Sequence, residues 1–202
     1  MLGLPKITEM SKQLPKKAIY ANFQMNTATK EEIDADISKI MIVNEITPDN
    51  INIAAGENVK SFFVLFVSLK RKNFAEKTVV TLSKLIPQNI LFVLEYAGES
   101  KLAVYYTKLM QTEWQLTENH RIVLKGLNLD KIWENIVVAV GDVDMKQGNT
   151  LDEQIAINEQ RHKLEKKIAK LEKQARAEKQ PKKKFELVQR INKLKGDYNE
   201  QF

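Results

Sequence analysis

The sequence contains no cysteine. That excludes disulfides, thiol nucleophiles and thiolate metal sites, and it fits a reducing, cytoplasmic setting. There are only two histidines. His120 follows Asn119 at an expected turn and His162 lies among charges, so a histidine-rich metal centre is excluded. The 7 glycines are scattered singly, which leaves no glycine-rich phosphate loop and no Gly-x-Ser-x-Gly elbow. No apolar run approaches the ~20 residues of a membrane-spanning helix. The first residues, MLGLPKITEMSKQLPKK, lack the apolar core of a signal peptide. No membrane association, metal or cofactor is expected.

What is present suits one ordinary core and an appendage. Of 202 residues, 43% are hydrophobic and 29% charged. The net charge of +6 is unevenly placed. From Leu151 onward there are 14 Lys and Arg against 9 Asp and Glu, a net of +5; the remaining 18 and 17 leave the rest nearly neutral. The basic character therefore belongs to the C-terminal stretch.

Residues 1–16 hold Pro5 and Pro15 and show no sustained period, so they read as an irregular arm. Lys16 and Lys17 read as a solvated turn. Thr29 and Glu32 have capping-box form. Ile33, Ile37, Ile40 and Met41 follow on one helical face, which predicts a helix from Thr29 to Asn44. In that helix the acids Glu31, Glu32, Asp34 and Asp36 lie towards its N-terminal end, where the helix dipole favours them. Thr47-Pro48-Asp49-Asn50 reads as a turn, and Ile51 with Ile53 as a short strand. Ala55 to Asn58 supplies another turn. Phe62 to Val67 is apolar at odd and even positions alike, the mark of a central strand covered on both faces. A capping box at Asn73 and Glu76 opens a helix carrying Val79, Leu82, Leu85 and Ile86, stopped by Pro87. Ile90 to Leu94 is a second buried strand, so a βαβ unit with parallel strands is expected. Ala97 to Ser100 turns the chain into a hairpin strand at Lys101–Tyr106.

Residues 107–120 are polar, with Trp114 as a candidate surface or binding aromatic. Ile122 to Leu124 reads as a short strand. Leu129, Ile132, Trp133, Ile136, Val137 and Val140 give the strongest helical signal, with Gly141 suited to C′. Thr150 and Glu153 form a third capping box. Leu164, Ile168, Leu171 and Ala175 then step at coiled-coil spacing, and Leu187, Ile191, Leu194 and Tyr198 resume it after Pro181. Proline suits the first turn of a new helix, so a helical hairpin is expected. The fold class is α/β (α+β): a mixed sheet with a central βαβ unit and flanking helices, plus a C-terminal helical hairpin or coiled-coil tail. Two domains are expected, an α/β body over 1–148 and a basic helical tail over 149–202.

Two kinds of chemistry merit a test. A metal-dependent nuclease of the restriction-enzyme type needs an acid at one strand and an acid-x-Lys pair on the next, so that two carboxylates hold Mg²⁺ and the lysine activates water. Ser68-Leu69-Lys70 stands where acid-x-Lys belongs, with Asp49 before the earlier short strand. Serine at 68 removes a carboxylate, so Asp49 and Lys70 are weak catalytic candidates and a non-enzymatic role is favoured. Glu95 reads as a rim carboxylate at a strand exit. The tail offers binding chemistry instead. Lys182, Lys183, Lys184, Lys166 and Lys170 are candidate nucleic-acid contacts. Leu164, Ile168, Leu171, Leu187, Ile191 and Leu194 form a candidate stripe for a protein partner or self-association.

The order of several short motifs resembles the bacterial domain of unknown function 4391 family. They are Leu14-Pro15-Lys16-Lys17, Thr47 to Ile53, Leu69-Lys70, Ile86-Pro87 before Ile90-Leu91-Phe92, Tyr105 to Lys108, Gly126 to Leu129, and Glu178 to Gln180 in the helical tail. The resemblance implies a cytoplasmic accessory subunit working with a helicase or methyltransferase complex of restriction-modification or phage-defence systems. It supplies no catalytic residues. A degenerate or divergent nuclease and a nucleic-acid-binding protein are the alternatives.

Overall fold

A computed structural model describes residues 2–23 and 25–201. They separate into two compact units, Met1–Asp142 and Val143–Phe202.

The first unit is a seven-stranded mixed sheet. Its strands are β1 (Glu9–Gln13), β2 (Ile37–Ile46), β3 (Phe62–Leu69), β4 (Asn89–Tyr96), β5 (Glu99–Tyr105), β6 (Leu109–Gln111) and β7 (Gln115–Leu116). Their order is β1-β2-β3-β4-β5-β6, with β7 pairing to β5. β3 and β4 run parallel, joined by a helix, and the other pairings are antiparallel. The mixed sheet with its βαβ unit is thus present, and β3 and β4 sit at its centre as their unbroken apolar runs require.

Alternation along β3 sorts the two faces. Leu65, Val67 and Leu69 join Phe92, Leu94, Ile33, Ile37, Val79 and Leu82 in one core. The helices on that side are α1 (Lys16–Asn22), α2 (Thr27–Asp36) and, after the one-turn α3 (Pro48–Ile51), α4 (Glu76–Leu85). Phe62 and Val64 point to the other face, where the ring centre of Phe62 lies 5.3 Å from that of Trp133 of α5 (Leu129–Gly141). Ile132, Ile136 and Val137 of α5 are buried as its apolar period predicts.

Several local expectations are corrected. The expected helix from Thr29 to Asn44 stops at Asp36, and Asn26 rather than Thr29 caps it, accepting from the Thr29 N–H at 2.8 Å. The remainder is β2, paired along its length with β3. Ile37, Ile40, Ile42, Val43 and Ile46 are β-branched, and the buried neighbour strand outweighs their helical spacing. The irregular arm contains β1, and Lys16-Lys17 opens α1 rather than a turn. Pro48–Ile51 is a helical turn with a reciprocal Thr47–Asn50 capping box. No strand forms at Ile51–Ile53 or Ile122–Leu124. The Asn73–Glu76 capping box is absent, and Asp142, not Gly141, takes the left-handed position ending α5.

The second unit is a pair of helices, α6 (Leu151–Ala177) and α7 (Pro181–Gln201). Thr150 and Glu153 form the expected capping box at the start of α6. Pro181 opens α7, where its missing N–H carries no cost. Leu171, Ala175 and Ile191 are buried together, with Ile168, Leu187 and Leu194 packed around them.

Candidate functional site: a neutralised strand end and a basic helical hairpin

The carboxyl ends of parallel strands are where open α/β sheets ordinarily hold ligands. Here that place is the end of β3, where Ser68-Leu69-Lys70 leads into α4. Asp49 is not there. It sits in α3 beyond the opposite end of β3, roughly 25 Å away along an eight-residue strand. The acid brought to this end is Asp36, because Ile37 of β2 pairs with Leu69 and the Lys70 N–H donates to the Asp36 carbonyl at 2.8 Å. A helix continued through Asn44 would leave this acid away from the strand end. The β-branched residues from Ile37 to Ile46 were the signal for a strand beginning just after it.

Asp36 is fully engaged. Its side chain is 1% exposed. One oxygen accepts from Arg71 Nε at 2.7 Å and faces Arg71 Nη2 at 2.5 Å. The other accepts from the Ala75 N–H at 2.8 Å and the Thr78 hydroxyl at 3.1 Å. Burial pushes the carboxyl up, but those bonds and the guanidinium outweigh it and hold the group below the usual carboxylate range. Asp36 thereby caps α4 from another element, which explains why Ala75 needs no capping side chain of its own. The N-terminus of α4, where a phosphate would sit in a nucleotide-binding βαβ unit, is filled by this carboxylate.

The neighbouring charges are likewise matched. Lys16 forms an ion pair with Asp34 and donates to the Ile37 carbonyl at 2.9 Å. The Tyr20 hydroxyl donates to Asp34 at 2.9 Å, and Lys70 Nζ to the Asp34 carbonyl at 2.5 Å. The Lys16 hydrogen bond is the main reason Asp34 lies below its ordinary range, while burial and then Asp34 itself push the Tyr20 phenol up. Asp34 and Asp36 occupy the last turn of α2, not its first, so these cations and not the helix dipole account for them. Ser68 stands beside Glu95 in the β3–β4 register, and Glu95 accepts from the Gly98 N–H at 2.9 Å, closing the β4–β5 turn. Among the described residues no group of three potential ligands could hold a metal ion.

Other polar residues of this unit are also structural. His120, expected at a turn, is buried, with Nε2 2.9 Å from the Ser100 carbonyl and Nδ1 2.6 Å from Gln115 Nε2. Asp130 draws the 55–59 loop onto α5 by accepting from the N–H groups of Glu57, Asn58 and Val59 at 2.7–3.1 Å. Gly56 is required there, since a Cβ would lie 2.2 Å from the Asp130 carboxylate. Trp114 is half-buried, with Lys72 and Lys101 Nζ at 5.2 and 5.6 Å from its ring centre.

The hairpin presents a different surface. Of the expected partner stripe, Ile168, Leu171, Leu187, Ile191 and Leu194 face one another between α6 and α7, and Leu164 is half-buried. At the same contact Arg161 Nε donates to the Tyr198 hydroxyl, which donates to Glu165, both at 2.8 Å, and Lys195 pairs with Glu172 at 2.8 Å. On the opposite face of α6, Lys163, Lys166, Lys170 and Lys173 step by three, four and three, all exposed. Among the described residues, only Lys163 of these four has an acid near it, Glu159 at 3.9 Å. Lys182, Lys183 and Lys184 are exposed in the first turn of α7, beside the connection between the helices. The five lysines singled out from the sequence thus lie on one helix face and at one helix start.

The family model described as Domain of unknown function (DUF4391) matches residues 2–197. The chain belongs to the DUF4391 family. The match runs through both units of this DUF4391 chain, sheet and hairpin alike. No curated protein and no solved structure matches it. Among the described residues no helix is long and apolar enough to cross a membrane.

Proposed function

We propose that this DUF4391 chain is a non-enzymatic accessory subunit that holds nucleic acid through its C-terminal hairpin, within a bacterial restriction-modification or phage-defence DNA-processing complex. The observation that carries this reading is the segregated lysine face of α6, with Lys166 and Lys170 at its centre and Lys182 to Lys184 on the next helix. A helix merely solvated by its charges interleaves both signs around its circumference. Here the acids Glu165 and Glu172 pair with Arg161, His162, Arg176 and Lys195, leaving the outer lysines to meet phosphates. The body then serves as the α/β domain that docks to a helicase or methyltransferase complex.

A metal-dependent nuclease is the competing reading. Against it stand the serine at 68, the separation of Asp49 from Lys70, and the Arg71 guanidinium already neutralising Asp36. Incubating plasmid with the protein and Mg²⁺ or Mn²⁺ should give no nicking. Cleavage lost on Asp36→Ala or Lys70→Ala would replace the proposal.

Fluorescence anisotropy with labelled duplex and single-stranded oligonucleotides tests the binding reading. The expected result is an affinity falling steeply with salt, with the slope reduced by about 1 for each phosphate-contacting lysine removed, as in Lys166→Glu with Lys170→Glu. Undetectable or salt-insensitive binding overturns it.

A further inference from the structure

The outward face of α7, opposite the seam with α6, carries Phe185, Gln189, Asn192 and Gly196 at steps of four, three and four. All four are exposed, Phe185 by 62%. This face holds no charge, unlike the outward face of α6. Gly196 is the informative residue. Glycine inside a helix costs about 1 kcal/mol relative to alanine. A Cβ at Gly196 would meet nothing within 4 Å, so no described part of this chain requires its absence. An aromatic with nothing over it and a glycine with nothing against it lie on the same face, three turns apart.

These positions complement one another under a two-fold axis. If a second α7 lies antiparallel with its midpoint between Arg190 and Ile191, Phe185 of one copy meets Gly196 of the other. The same axis places Gln189 against Asn192, two amides able to exchange hydrogen bonds. Along one edge of the face run Lys182, Glu186, Lys193 and Asp197. Reading that edge backwards reverses every sign; under this axis Lys182 falls two residues, about 3 Å along the helix, from level with the second copy's Asp197, and Glu186 the same from its Lys193, within reach of these side chains. Among the described residues none of these four is held in an ion pair within the chain.

We infer that α7 pairs antiparallel with α7 of a second copy, Phe185 seating over Gly196 twice and two Glu186–Lys193 and two Lys182–Asp197 pairs flanking the contact. An isologous contact of this kind needs one self-complementary patch, and large against small is how facing helices interdigitate. The charge order selects a second copy over an unrelated helix. Lys182 is shared with the nucleic-acid reading, but Phe185, Gly196, Glu186 and Lys193 are not, so the inference does not rest on that reading. A three-turn contact is small, and the dimer is expected to be weak, in the micromolar range.

Sedimentation equilibrium of the full chain over a concentration series is the test. A monomer–dimer equilibrium is expected, abolished by Phe185→Glu. Glu186→Lys alone and Lys193→Glu alone should each weaken it about tenfold, and the two together should restore it. Gly196→Leu should raise the melting temperature, since it removes a helical glycine, and yet abolish the dimer. Circular dichroism of each variant checks that the helices persist. Should Phe185→Glu disturb folding, the charge exchange decides the matter. A chain monomeric at every soluble concentration overturns the inference, as does a dimer that ignores Phe185→Glu or is not rescued by the double exchange.

Discussion

The two units of this chain use polar residues in opposite ways. In the sheet unit, several charged and polar groups near the core are consumed by the fold. Asp36 holds Arg71 and the start of α4, Asp130 gathers three backbone N–H groups, and His120 bridges Ser100 and Gln115. In the hairpin, the apolar residues of the seam are consumed, while Phe185, Val188 and most lysines are left outside. Its buried seam is narrow, with Leu171, Ala175 and Ile191 at the centre, whereas the sheet buries Phe62, Phe92, Leu65, Leu91 and Leu94 completely. The difference teaches where to look for function. A polar residue inside a deep core must be satisfied by the protein itself, while a thin two-helix seam leaves most of each helix surface free for something else.

The sharpest way to break this contrast is to separate the units. A fragment of residues 1–148 should unfold cooperatively by heat or urea and lose nucleic-acid binding altogether in the anisotropy assay. Retained binding would put the working surface on the sheet unit. Next in size is Asp36→Ala, which leaves Arg71 without its buried partner and α4 without its cap. Arg71 is itself more than half exposed, so the cost is that of the lost cap and charged hydrogen bonds, about 3 kcal/mol, read as a lower urea midpoint, with the affinity of the protein for DNA unchanged below the unfolding transition.

In the hairpin, Leu171→Ala should cost less, about 2 kcal/mol, because a narrow seam collapses more readily than a deep core. The measurement is loss of helical ellipticity on heating in a fragment-matched comparison with the full chain.

The acid response should separate the units most finely. Asp36 is held below its ordinary range in the folded state, so its contribution is present above the unfolded value of about 4 and is lost as pH falls through the depressed folded value. The wild-type stability should therefore drop on acidification below about pH 4, and Asp36→Asn should show a shallower drop over that window. Equal slopes would mean that Asp36 is not the group responsible.

Much of the architecture was legible in the residues. Unbroken apolar runs at Phe62–Val67 and Ile90–Leu94 could only be central strands of that length, and the period of α5 and the capping box of α6 were read correctly. The stretch from Ile33 to Ile46 was misread because its isoleucines satisfy a helical period and a strand period together, and only the presence of β3 decides between them. That single error displaced the candidate acid from Asp36 to Asp49. The hairpin's lysine face was visible as charge but not as a face until α6 and α7 were seen to close their seam upon each other.

The sequence by itself determined the element types of β3, β4, α4, α5 and the tail, the absence of thiol chemistry, and the location of the excess positive charge. These follow from composition and local period, which need no knowledge of distant neighbours. The tertiary structure alone decided which acid reaches the end of β3, that Arg71 already neutralises it, and that the apolar stripe of the tail is satisfied within the hairpin. Those outcomes depend on strand pairing and helix docking between residues far apart in the chain, where packing outweighs local preference.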